Sequence, residues 1–150
     1  MTETAHHTFT VPRHLPAPLP RAWRAFADAD TKRRWFACHA DWRTVEYALD
    51  CRPGGHERSL VVTPAGGRHL MEATYLDAVP EARIVYAHAM SVNDARLSAS
   101  LVTLTFEAEG AATRLIWTEQ IVLLDGRQDL DERIHGTRLG LDALGAWLAA

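Results

Sequence analysis

The chain has 150 residues, 47% of them hydrophobic and 23% charged, which suits one folded domain (1–150) with a real core and argues against wholesale disorder. A formal net charge of -3 offers no broad attraction to phosphate backbones, so nucleic acid is not an expected partner. No apolar run reaches the length of a membrane span, and the start lacks the hydrophobic core of a signal peptide, so a cytoplasmic protein is expected. Its two cysteines, Cys38 and Cys51, form no C-x-x-C and are expected to be reduced there.

In chain order, residues 8–14 alternate weakly and read as a first strand ended by Pro16 and Pro18. Pro20 suits the first turn of a helix whose inner face carries Trp23, Phe26 and Ala27. Asp28 or Asp30 then caps a second short helix ending near Trp35-Phe36. Its basic run, Lys32-Arg33-Arg34, is expected to be a solvated helix face. The His6-His7 pair falls in a terminus expected to be mobile.

Six more strands follow, over 45–51, 56–63, 68–77, 83–90, 97–107 and 113–124, with turns at Pro53-Gly54-Gly55, Gly66-Gly67 and Asn93-Asp94. From about 128 to 148 the hydrophobic period changes from two to about 3.6, with Leu130, Ile134, Thr137, Leu141, Leu144 and Leu148 on one stripe. Helices segregated on one side of an antiparallel sheet make an α+β fold. One long helix across a curved sheet leaves a hollow between them, where function is expected. Gly136 and Gly140 beside the stripe read most simply as close helix-to-sheet packing, and otherwise as added space for a ligand.

Strand parity proposes which side chains face that hollow. Val45, Tyr47, Leu49 and Cys51 share an inner face, as do Glu57, Ser59 and Val61. Met71, Ala73 and Tyr75 form another inner set, and Ile84, Tyr86, His88 and Met90 the next. Val102, Leu104 and Phe106 then face Leu115, Trp117 and Glu119 across the last hairpin, although a one-residue bulge would flip any of these sets. From this come the expected ligand-contacting residues: Trp117, Glu119, Tyr75, Tyr86, His88, Met71, Met90, Phe106, Leu115 and Glu57, with Leu141 and Leu144 from the helix.

The carboxylates on this list stand out, because an unpaired buried charge costs several kcal/mol. Glu57 and Glu119 therefore need a hydrogen-bond partner, a cation, water or a bound proton, or else they face solvent. His88, or Arg43 at the mouth, is a candidate partner. A buried Glu119 is expected to have a raised pKa, which would suit general acid or base work, with His88 and Glu57 as the other catalytic candidates. The eight histidines are scattered with no metal-ligand spacing, and no phosphate or dinucleotide fingerprint occurs, so neither metal nor cofactor is expected.

Several segments together resemble a known family. They are Pro18-Leu-Pro-Arg-Ala-Trp23-Arg-Ala-Phe26, Trp35-Phe36, Asp50-Cys-Arg52-Pro-Gly54-Gly55, and Tyr75-Leu-Asp-Ala-Val-Pro80 leading to Ile84-Val-Tyr86. Val102-Thr-Leu-Thr-Phe106, Thr113-Arg-Leu115, Trp117-Thr-Glu119-Gln120, Leu124-Asp-Gly126, Gly136 and Leu141 to Leu144 complete the series, which covers about residues 8–148. In order and spacing these resemble the AHSA1-like (activator of Hsp90 ATPase homologue 1-like) branch of the START/Bet v 1-like, or SRPBCC, superfamily. The resemblance implies a helix-grip fold: a seven-stranded curved antiparallel sheet, two short helices after the first strand, and a long C-terminal helix enclosing a cavity.

The resemblance also implies a cavity for a small hydrophobic or amphipathic ligand, and carries no catalytic motif to transfer. The alternatives are an enzyme of the cyclase, dehydratase or hydrolase type in the same cavity, or an interaction module. A homodimer through outer-face residues such as Val85, Ala87 and Ile116 is compatible with the pattern. Hsp90 is not an expected partner, since the co-chaperone that names the branch has a further N-terminal domain for which this chain has no room.

Overall fold

The computed structural model describes residues 2–37 and 39–150. Along the chain run β1 (Ala5–Leu15), α1 (Leu19–Ala27), α2 (Ala29–Trp35), β2 (Arg43–Leu49), β3 (His56–Val62), β4 (Arg68–Val79), β5 (Arg83–Val92), β6 (Ala95–Glu109), β7 (Ala112–Leu123) and α3 (Leu130–Ala149). All strands join one antiparallel sheet in the order β1-β7-β6-β5-β4-β3-β2. β1 and β2 are neighbours in sequence yet occupy opposite edges, and α1 with α2 bridge between them. This is the helix-grip arrangement.

Local chemistry explains the punctuation. Pro at the start of α1 needs no backbone partner there, and Asp28 both ends α1 and caps α2 by accepting from the Thr31 N–H at 3.0 Å. At the β2–β3 turn Gly54 has φ of 84°, and a Cβ on Gly55 would lie 2.0 Å from the Asp50 carbonyl oxygen, so no side chain fits. Arg21 donates to the Leu148 carbonyl at 2.6 Å and lies over the Trp147 ring, tying the end of α3 to α1.

The period-two pattern places the core. In the β6–β7 ladder Val102 faces Glu119, Leu104 faces Trp117 and Phe106 faces Leu115, and all six side chains are buried. Phe106 meets Trp23 and Phe26 edge to face, and Phe26 meets Trp35 likewise, so α1 and α2 seal one end of the sheet. Leu141, Leu144 and Leu148 of α3 close the core from above, with Leu130 and Ile134 packed at its margin.

Three sequence expectations are corrected here. Residues 6 and 7 belong to β1, paired with Val122 and Ile121, because eleven backbone partners along β7 order the terminus. β2 begins at Arg43 and carries a register shift between Thr44 and Glu46, so Val45 turns outward and is 44% exposed. In the basic run Arg33 and Arg34 are exposed, but Lys32 is 1% exposed and lies in the core. Among the described residues, no helix is long and apolar enough to cross a membrane.

Candidate functional site

α3 stands off the sheet beyond its leucine contacts, and a cavity of about 390 Å³ opens between them. The sheet contributes Ser59, Val61, Met71, Tyr86, His88, Met90, Trp117 and Glu119; the helix contributes Arg133, Gly136, Thr137, Gly140 and Leu141. Trp35, Phe36 and Trp42 wall one side, with the His39, Trp42 and His69 rings in a tilted series at centroid distances of 4.3 and 4.7 Å. Burial, and then the nearby His39, holds the pKa of His69 below its ordinary value.

Gly136 faces open space: a Cβ there would meet nothing within 4 Å. The expectation of close packing at this glycine is therefore corrected, because the helix passes over the cavity at this point rather than over side chains.

Glu119 forms the polar centre of the cavity. Its residue is 1% exposed, and its Oε2 accepts from Ser100 Oγ at 2.6 Å and from Arg133 Nη2 at 3.5 Å. His88 Nε2 faces the same oxygen at 3.5 Å, and Trp117 Nε1 donates to Oε1 at 3.1 Å. Arg133 also donates to Ser98 Oγ. Burial opposes ionisation and is the largest single effect, but His88, Arg133 and Ser100 together outweigh it, lowering the pKa from the ordinary 4.5 to about 2. The raised pKa expected for Glu119 is thus overturned. Arg43 does not reach it; that strand end is exposed, and the cation comes from α3 instead.

Glu57 lies elsewhere, in a second buried cluster. Lys32 Nζ donates to its Oε1 at 2.9 Å, Tyr75 OH to the same oxygen at 2.7 Å, and Tyr47 OH to Oε2 at 2.6 Å. The solvent-facing alternative for Glu57 therefore gives way to a fully buried ion pair. Burial and the adjacent carboxylate push both tyrosine hydroxyls far above their ordinary pKa. The Lys32 ammonium also lies 4.3 Å from the Phe36 ring centroid and 5.5 Å from that of Tyr86. Both rings are cavity walls, so this cluster supports them from behind.

Of the residues singled out from the sequence, Trp117, Glu119, Tyr86, His88, Met71, Met90 and Leu141 line one cavity. Phe106, Leu115 and Leu144 are packed inside the core, while Tyr75 and Glu57 belong to the Lys32 cluster. Sequence reasoning missed Lys32, Arg133, Ser100 and Trp42. Lys32 is three residues before Trp35, and Arg133 is three before Gly136 and four before Thr137, the spacings of one helix face. Those spacings were readable; Ser100 and Trp42 had no such signal. Cys51 is half-buried, and burial, opposed by Lys32 and reinforced by Glu57, raises its thiol to about 11. Cys38 lies outside the described residues.

The family whose model matches the chain, described as "Activator of Hsp90 ATPase homolog 1-like protein", covers residues 16–149. Among solved structures the chain is similar to an uncharacterized protein from Rhizobium leguminosarum, with 46% identity, 99% of this chain and 98% of that chain covered, and a TM-score of 0.94. It is also similar to a protein from Rhizobium loti, at 37% identity, 96% and 98% coverage, and a TM-score of 0.87. An AHSA1-like protein from Aeromonas hydrophila shares the fold at 18% identity, 95% and 92% coverage, and a TM-score of 0.72. No curated protein matches. With nearly its whole length matched, the chain belongs to the activator of Hsp90 ATPase homolog 1-like family.

Proposed function

We propose that this protein binds a small, largely apolar molecule in the cavity between the sheet and α3. The observation that carries the reading is an aromatic cavity of about 390 Å³ with an ionised, hydrogen-bonded Glu119 on its wall. Such a volume equals the share of about a dozen waters at roughly 30 Å³ each, and apolar walls with a few fixed polar groups are the usual make-up of a small-molecule site. Tyr86, Trp117 and Met71 supply contact area, and the Glu119–Arg133–His88 group supplies orientation.

The same geometry weighs against a general-acid role for Glu119, since a carboxyl with a pKa of about 2 has no proton to give near neutrality. Binding is therefore preferred over acid-catalysed turnover. Native mass spectrometry of freshly purified protein, followed by denaturing extraction, tests the reading. A discrete mass that leaves on unfolding, and that is absent from Gly136→Leu, supports it. A protein that stays empty and whose stability responds to no apolar small molecule sinks it. The same spectrum distinguishes monomer from homodimer.

A further inference from the structure

We infer that the cavity selects molecules whose polar end donates hydrogen bonds, an alcohol, phenol or amine, over molecules that end in a carboxylate. This rests on the ligand-binding reading above and adds the chemistry of the ligand's head. Three observations converge on it.

The first is charge. Glu119, Asp129 and Glu132 lie on the wall against a single guanidinium, Arg133. That guanidinium is already engaged, by Glu119 at 3.5 Å and by Ser98 Oγ. To take a ligand carboxylate, Arg133 would have to share its charge between two anions or release Glu119. Either leaves the buried Glu119 carboxylate with less compensating charge, which is costly.

The second is unmet hydrogen-bonding capacity. Among the described residues, two buried side-chain polar atoms have no hydrogen-bond partner, His88 Nδ1 and Asp129 Oδ1, and both residues belong to this cavity's wall. His88 Nε2 faces the Glu119 carboxylate, which can only accept, so that ring nitrogen carries a proton. Asp129 Oδ1 can only accept; its other oxygen lies 3.7 Å from Arg127. The unmet Asp129 oxygen asks for a donor, and a carboxylate brings none.

The third is the remaining wall. Trp35, Trp42, Tyr86 and Trp117 present aromatic surface, whose ring faces are electron-rich and attract a cationic or donor group rather than an anion. An aromatic or alicyclic body with one hydroxyl or amine therefore matches both parts of the cavity.

Isothermal titration of the full chain with naphthol, naphthylmethylamine and naphthoate, three probes of one body and different heads, decides the matter. Naphthol and naphthylmethylamine are expected to bind at least about tenfold more tightly than naphthoate, the scale of one hydrogen bond to a charged group. Gly136→Leu should abolish that binding, and Gly136→Ala, which adds one methyl in open space, should weaken it in the same order. Naphthoate binding as tightly as the others, and still lost in Gly136→Leu, would overturn the donor selectivity and leave the cavity reading standing. Binding by none of the three would remove both, and binding indifferent to Gly136 would move the site elsewhere.

Discussion

Lys32 and Glu57 touch at 2.9 Å with both side chains shut off from solvent, and two tyrosine hydroxyls complete the carboxylate's shell. Removing one partner of such a pair leaves a bare buried charge, so Lys32→Met should cost about 3–5 kcal/mol in urea unfolding. Lys32→Met combined with Glu57→Gln removes both charges and should recover most of that loss; an additive double variant would show that the two do not act as a pair. Glu119 differs in being held by groups on three strands and a helix. Its folded pKa of about 2 is below the ordinary 4.5, so its stabilisation is complete above pH 4.5 and is lost as the pH falls toward 2. That difference is worth about 3 kcal/mol. Unfolding curves of wild type and Glu119→Gln should therefore converge across that window, and a constant gap would place the stabilisation elsewhere.

At the scale of elements, α3 does two jobs with different residues. Leu141, Leu144 and Leu148 anchor its C-terminal half in the core, while Arg133, Gly136 and Thr137 roof the cavity. Gly136 is conformationally costly in a helix, and a methyl there meets nothing. Gly136→Ala should thus stabilise the fold by about 1 kcal/mol, read as a raised Tm, with no penalty from packing. A loss of stability instead would mean that the roof touches the sheet at this point. The short α2 is equally divided: Lys32 and Trp35 face inward, and Arg33 and Arg34 face solvent. A run of three cations is thus one structural lysine and two surface arginines.

At the scale of the whole molecule, the order β1-β7-β6-β5-β4-β3-β2 puts β5, β6 and β7 inside the sheet and leaves β2 with one partner and a register shift. Backbone amides of β6 should therefore exchange with deuterium last and those of β2 first when followed by NMR. Uniform protection across the sheet would contradict this ranking. The cavity lies beside the less tied part of the structure, since Trp35, Phe36 and Trp42 join α2 to the edge strand β2.

The alternation in β4 to β7 and the change of period at α3 determined the sheet, the long helix and which faces are apolar, because burial of one face imposes its period on the sequence. That was enough to gather Trp117, Glu119, Tyr86, His88, Met71 and Met90 onto one inner surface. Parity cannot tell a cavity wall from a filled core, so Phe106, on the same face as Trp117, proved to be covered by α1, and Leu115 to be buried in the core. Nor can it anticipate Val45, which one extra residue at the β2 shift turned outward. The charge states were decided by tertiary structure alone. Lys32 meets Glu57 across 25 residues, and Arg133 meets Glu119 from another element. The ionisation of a buried group depends on what stands within a few ångströms of it, and only the folded chain brings those partners there.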